Sequence, residues 1–250
     1  MDYTEQIILF IVAFLANWFS ALAGGGAGLI QLPALIFLGL PFPLALATHK
    51  IATVALGAGA TLRHMREGHL NLKVLLLVCA AGVPAVIYGV FFILDVEPRK
   101  SEIALGLLTL SLVLYSFFRP SLGLVAEEKH RSVFGYIVGA LILMLFGFIN
   151  GALSAGSGLF VTLWLVYWFG LDYKTAVAQT MVAVGLIWNF TGALSMGLVA
   201  EVQWSWLPAL LLGSLVGGYL GAHTSILAGN AIVKRVFELI TLIAAIKLLW

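Results

Sequence analysis

Hydrophobic residues run along this chain in long blocks, cut at short intervals by glycine, proline and small clusters of charge. The blocks fall at residues 6–23, 27–39, 43–62, 72–94, 101–118, 134–153, 158–169, 174–195, 204–226 and 231–249. Several windows, Val74–Leu94 and Leu207–Leu227 among them, are almost uncharged over the roughly 20 residues that a helix needs to span a bilayer. Irregular backbone cannot face lipid, so the blocks are read as helices. The breaks carry the expected punctuation: Gly-Leu-Pro at 39–41, RHMREGH at 63–69 and DVEPRK at 95–100. The N-terminal MDYTEQ is acidic where a secretory signal would be basic, so the first block reads as a retained helix.

The longest polar stretch, about residues 119–132, lies near the middle and suggests a repeat. ALAGGGAGL at 21–29 is echoed by ALSAGSGLF at 152–160. GLPFPLALATHK at 39–50 is echoed by GLDYKTAVAQTM at 170–181, and EGHLNLK at 67–73 by MGLVAEVQ at 196–203. The predicted organisation is a first membrane repeat at 1–118, a cytoplasmic linker at 119–132 and a second membrane repeat at 133–250. Basic residues favour the cytoplasmic side. With five segments per half, Arg63, Arg66 and Lys73 share a side with the linker, the Lys174 turn and the Lys234–Arg235 turn. Asp2, Glu5, the mixed 95–100 loop and Glu201 fall on the other side, with both termini outside. An odd number of crossings per half makes the halves inverted, a plan common among secondary transporters. Segments 27–39 and 158–169 give only about 20 Å of helix each. They are either re-entrant half-helices or short tilted spans. The expected fold class is therefore an all-α polytopic membrane protein built of two inverted repeats with glycine-broken short helices.

Composition sharpens the class. The chain has 250 residues, 62% hydrophobic and 10% charged, against about 25% charged in soluble domains. A net charge of +2, with no clustered basic patch, gives no footing for nucleic acid. Cys79 is the single cysteine and has no partner for an internal disulfide. No metal-ligand spacing, nucleophile elbow or phosphate-loop lysine motif occurs, so neither an enzyme nor a cofactor is expected.

Gly24, Gly25, Gly26 and Gly28 interrupt one apolar run ahead of Pro33, and Gly156, Ser157 and Gly158 interrupt another. A break leaves the first N–H groups of the following helix without intrahelical acceptors. Such donors favour an anion. Two inverted halves would aim two helix N-termini at one central point. The competing role for small residues is close helix packing.

Lys50 lies mid-segment, with Thr48 and His49 before it. A lysine at that depth costs at least about 2.5–3.5 kcal/mol to insert and is by default functional. It serves either as counter-charge to an anion or as a structural donor to helix-end carbonyls. Its repeat-mate region offers Gln179 and Thr180 as neutral donors. Asn17, Ser20, Gln31, Asn150 and Asn189 add further donors, each also explicable as a helix–helix hydrogen bond. Among the acids only Glu238 sits clearly within a span, where Arg235 one turn away can pair with it, which argues against a cation pathway. His223 is either a proton carrier or a packed or interfacial histidine. Trp18, Trp204, Trp206 and Trp250 suit interfacial belts.

GGGAGLIQLPALIFLGLPFPLALATHK, followed by GHLN, resembles the sulfite exporter TauE/SafE family, as do GFINGALSAGSGLF at 147–160 and GALSMGLV at 192–199. The likeness covers nearly the whole chain. His49 stands where Asn or Ser is usual, and Ser20 and Asn150 stand where related proteins often carry Asp. The resemblance implies a plasma-membrane permease for sulfur oxyanions or small organosulfonates. The expected function is a secondary transporter of a small sulfur-containing anion, with an anion channel, or a permease for another small anionic metabolite, as the alternative. The expected substrate-binding set is Gly25, Gly26, Gly28, Gln31, Thr48, His49, Lys50, Asn150, Gly156, Ser157, Gly158, Gln179, Thr180 and Asn189. The expected partners are the anionic solute and the bilayer. Protons or another coupling ion and self-association are compatible with this reading.

Overall fold

The computed structural model describes residues 3–68, 70–92, 98–154 and 156–249. Asp2, His69, residues 95–97 of the expected loop, Ala155 and Trp250 lie outside the described residues. Among those described the chain is all-helical. The first half contains α1 (Tyr3–Ala23), α2 (Ala27–Phe37), α3 (Phe42–His64), α4 (Leu72–Phe92) and α5 (Pro98–Phe117). The second contains α6 (Val133–Leu153), α7 (Ser157–Tyr167), α8 (Tyr173–Met196), α9 (Leu207–Ala228) and α10 (Asn230–Leu249). Every expected apolar block is a helix with its ends moved by a few residues.

Local chemistry sets the starts. Ser132 caps α6 by accepting from Gly135 N at 3.2 Å, and Asp172 caps α8 by accepting from Thr175 N at 3.0 Å. Proline opens the first turns of α3 and α9, where its missing N–H is harmless. The starts of α2 and α7 differ. Their caps, Gly26 (φ 99°) and Gly156 (φ 74°), are left-handed and provide no side-chain acceptor.

Hydrogen bonds between loops sort the helix ends into two groups. At one end Gln6 Nε2 donates to Ser205 O at 3.0 Å, and Gln203 N donates to Thr48 Oγ1 at 3.0 Å. At the other end the linker is tied to α8 and α10. Tyr173 N donates to Gly123 O (2.9 Å), and Asn230 Nδ2 donates to Leu124 O (2.9 Å). Lys234 donates to Arg119 O and, at 3.1 Å, to Pro120 O. Arg63 Nε donates to His223 Nδ1 (3.0 Å) and Gln179 Nε2 to Asn71 O (3.1 Å) near this second end. The 63–73 loop, the linker and the starts of α8 and α10 therefore group together, as the lysine and arginine pattern anticipated.

This grouping decides what the short helices are. α1 starts at the first end, and α2 leads through Gly39 into α3, which also starts there. α1 and α2 thus form a hairpin open toward the first end. α6 and α7 form one open toward the second end. There Glu127 N donates to Gly170 O at 2.8 Å, and Trp168 Nε1 donates to Gly135 O at 2.9 Å. The tips touch: a Cβ built on Gly25 falls 2.5 Å from Leu159 N, and one on Gly158 falls 2.9 Å from Gly25 Cα.

Around the hairpins, α1 packs along α9 and α6 along α4; α3 also packs on α9, and α8 on α4. α3 pairs with α8, and α5 with α10. Glycines set the closest approaches. Gly213, Gly217 and Gly221 of α9 lie against the backbone of Phe10, Phe14 and Trp18 in α1, and Gly147 and Gly151 of α6 lie against Gly82 and Val86 in α4. Backbones can approach this closely only where no side chain intervenes. At the α3–α8 crossing Gly57 meets Gly185. There α8 is π-helical over Met181–Trp188, a departure from α geometry that often marks functional sites.

Among the described residues five segments have the length and composition to cross a membrane: α1, α4, α6, α8 and residues 204–228, which contain α9. The molecule is a multi-pass helical membrane protein.

Candidate functional site

The hairpin tips close on a small buried cavity of about 30 Å³, room for water or a small ion. Gly25, Gly26 and Gly28 from the first break line it, with Ser157 and Gly158 from the second. His49 and Thr53 reach it from α3, Asn150 from α6 and Asn189 from α8. α2 and α7 both begin here, so two sets of first-turn N–H groups without intrahelical acceptors converge.

Asn150 is the hub. Its Nδ2 donates to Ser157 Oγ at 2.9 Å and to Asn189 Oδ1 at 3.3 Å. Its backbone carbonyl accepts from Lys50 Nζ at 2.5 Å and from Ser154 N at 3.1 Å. Lys50 is fully buried and has no carboxylate partner among the described residues. It therefore stands where the helix-end reading placed it, on a carbonyl at the C-terminal end of α6. It packs against Gly192 of α8, beside the cavity rather than in its lining. His49 is 1% exposed, lines the cavity, and its Nδ1 has no hydrogen-bond partner.

Four expected site residues, Thr48, Gln31, Gln179 and Thr180, lie away from the cavity, and Gly156 lies beside it, next to Ser157 of the lining. Thr48 donates to Leu44 O at 2.7 Å and holds Gln203 at the first end. Gln31 Oε1 accepts from Asn17 Nδ2 at 2.8 Å, and the same Asn17 nitrogen donates to Ser214 Oγ at 2.9 Å, a link joining α1, α2 and α9. Gln179 turns to Asn71. Thr180 meets Thr162 Oγ1 at 2.9 Å, and that hydroxyl donates to Gly24 O at 2.8 Å, so the pair braces the first break from outside. Gly156 is the left-handed cap of α7 with only Phe160 near its Cβ position. Conversely, Ser20, Thr53 and Ser154 line the cavity and were not in the expected set. Thr53 follows His49 by four residues, so helical spacing alone puts the two on one face.

One expectation about charge is corrected. Glu238 pairs with Lys234 Nζ at 3.7 Å, not with Arg235, because the four-residue spacing brings Lys234 to it while Arg235 turns outward. Lys234, 5% exposed, is thus a second buried lysine. Glu238 also accepts from Ser116 Oγ at 2.7 Å, which ties α10 to α5. His223 is exposed, which places it at an interfacial position.

A multi-pass helical protein whose broken helices meet at a buried polar centre has the architecture of a membrane transporter. The comparisons agree. The family model for sulfite exporter TauE/SafE matches residues 9–248, and the chain belongs to that family. It is 29% identical to the probable membrane transporter protein ORF9 of a Sinorhizobium species, over 96% of this chain and 91% of that protein. It is 27% identical to a probable membrane transporter protein of Haemophilus influenzae, over 97% and 94%. It is 26% identical to the probable membrane transporter protein YfcA of Escherichia coli, over 97% and 89%. No solved structure matches the chain. The protein is a membrane transporter, not an enzyme.

Proposed function

We propose that the protein is a secondary transporter that moves a small sulfur-containing anion, such as sulfite or an organosulfonate, across the plasma membrane by alternating access. One observation carries this reading: two helix N-termini with bare left-handed glycine caps converge on a buried cavity beside a lysine that no described carboxylate neutralises. Oriented N–H groups and a cation favour an oxyanion. His49, Asn150, Ser157 and Asn189 supply polar contacts in place of water. Lys50 holds a helix-end carbonyl while the cavity is closed and turns to the anion when it opens.

The two halves, 1–118 and 133–250, act as inverted repeats joined by the 119–132 linker. Exchanging them converts the α1–α9 contact into α6–α4 and the α3–α9 contact into α8–α4, while α3–α8 and α5–α10 map onto themselves. Gly26 and Gly28 then correspond to Gly156 and Gly158, both 130 positions on. The linker end faces the cytoplasm and both termini face outward. Opening one hairpin while the other stays closed would expose the centre to alternate sides, with protons or another ion as the coupling partner.

The test is solute binding to the purified protein over sulfite, sulfate, thiosulfate, taurine and sulfoacetate, followed by counterflow in proteoliposomes. Saturable counterflow of one of these supports the proposal. Flux without counterflow makes the protein a channel, and binding of none of them moves the substrate outside the sulfur anions.

A further inference from the structure

We propose that the second end of the molecule carries a specific site for an anionic glycerophospholipid, with its phosphate at Arg119 and an acyl chain in the cleft between α5 and α7. Two adjoining spaces form this site. The first, about 470 Å³, opens at the second end between the last turns of α5, the linker and the end of α7. The second, about 280 Å³, runs from it toward the middle of the molecule among Ser111, Phe146, Phe160, Leu163 and Trp164. Tyr115 and Tyr167 line both. Their rings meet edge-to-face at 5.3 Å, where the polar mouth becomes the apolar cleft.

The charges of the mouth select the headgroup. Lys129 is paired with Glu127 at 3.0 Å. His130 is stacked on Trp168 at 3.9 Å, its Nδ1 on Trp168 O at 2.7 Å. Arg119 is left. It is exposed, its guanidinium sits 6.0 Å over the Tyr115 ring, and no described carboxylate pairs with it. A guanidinium holds a phosphate through two parallel hydrogen bonds. The backbone beneath it is fixed, because Lys234 binds the carbonyls of Arg119 and Pro120.

The cleft selects the rest of the ligand. Phe160, Leu163, Trp164 and Tyr167 recur at three- and four-residue spacing and form one face of α7. The indole N–H of Trp164, one turn inward from Tyr167, is buried with no acceptor among the described residues. Burying such a donor unpaired is costly. An ester carbonyl lies between the phosphate and the acyl chain of a glycerophospholipid, at the level where this donor lacks a partner. α5 packs mainly along α10 and touches α7 only slightly, so an acyl chain fills a seam that the protein leaves open. The inner end of the cleft is Phe160, the residue facing the Gly156 cap. A bound lipid would thus brace the arm that carries half of the cavity.

The test uses the purified full-length protein, delipidated in detergent, with phosphatidylglycerol and phosphatidylcholine of identical acyl chains. Native mass spectrometry and thermal unfolding read the binding. Phosphatidylglycerol should bind at one high-affinity site and raise the melting temperature more than phosphatidylcholine does. Its advantage should shrink with added salt, as an exposed charge contact requires. Arg119→Gln should weaken phosphatidylglycerol at least fivefold and phosphatidylcholine, whose phosphate is offset by its own ammonium, by less, and Arg119→Lys should retain part of the preference. Trp164→Phe should weaken both lipids. If wild type shows no salt-sensitive preference for phosphatidylglycerol, or if glycerol 3-phosphate stabilises it equally well, the lipid site is refuted. The salt series on wild type decides the matter even where a variant fails to fold.

Discussion

Gly158→Ala tests whether the contact between hairpin tips organises the centre. Gly158 is the second residue of α7, so its conformation is helical and alanine introduces no backbone strain. Alanine in a helix gains about 0.5–1 kcal/mol over glycine. The added Cβ would sit 2.9 Å from Gly25 Cα and 3.0 Å from Gly24 O. Comfortable carbon contacts lie at about 3.5–4.0 Å, so the tips must part by roughly 0.5–1 Å. Overpacking of that kind costs about 1–3 kcal/mol. The net loss of stability is therefore small, about 0–2.5 kcal/mol. The effect on anion binding is larger. An N–H to oxyanion distance of about 2.9 Å that lengthens to about 3.5 Å leaves the hydrogen-bonding range. A hydrogen bond to a charged group is worth about 1.5–3 kcal/mol, so anion affinity should fall about tenfold or more. Gly197→Ala is the control, since its Cβ meets only ordinary contacts at 3.4 and 3.5 Å. The assay is thermal unfolding and solute binding on wild type, Gly158→Ala, Gly158→Val and Gly197→Ala. If Gly158→Ala binds like Gly197→Ala, or if Gly158→Val keeps wild-type stability and affinity, the reasoning fails.

Other substitutions separate the remaining roles. Lys50→Met removes a buried ammonium together with its bond to Asn150, whose carbonyl keeps the Ser154 N–H. Relief of desolvation offsets the lost bond, so stability should stay near wild type while anion affinity falls at least about tenfold, roughly 1.4 kcal/mol. A Lys50→Met protein that unfolds, or that binds unchanged, would make the lysine structural. Thr162→Val removes the bonds to Gly24 O and Thr180. It should cost about 1–3 kcal/mol in thermal unfolding, whereas an unaltered melting curve would show that the brace carries no weight. Lys234→Met leaves the part-buried Glu238 without its cation and the Arg119 and Pro120 carbonyls without their donor, and should destabilise by about 1–3 kcal/mol. A double variant with Glu238→Gln should recover part of that loss, and failure to recover would point away from the ion pair. Cysteines introduced at Arg66 and Ser121 should label from the cytoplasmic side, and one at Val199 from the outside; labelling of all three from one side would overturn the proposed topology.

The helices were legible in the sequence because the bilayer leaves little choice. A run such as Val74–Leu94 must satisfy its backbone internally, and only a helix does so within one segment. The glycine breaks were legible too, since Gly26 and Gly156 occupy left-handed caps that other residues adopt at a cost. What the pattern could not supply was the direction of each side chain and the partner it meets. Thr48 precedes Lys50 by two residues, about 200° around the helix, and so faces Gln203 while Lys50 faces Asn150. Gln31 was read as a cavity donor because it follows the first break and Gln179 because it lies in the repeat-mate of the Lys50 region, yet each turns to a different neighbour. Lys50 had two possible partners in the sequence, an anion or a helix end. The carbonyl that holds it lies 100 positions away, at the end of α6, and is brought there only when the two halves of the chain come together. The π-helical stretch of α8 likewise leaves no mark in its apolar residues, because residues spaced for an α-helix can also fit the wider turn. Residue chemistry and the membrane fixed the elements; the close contacts of Gly25 with Gly158 and of Gly57 with Gly185 fixed which faces meet, because backbone-to-backbone distance depends on both partners at once.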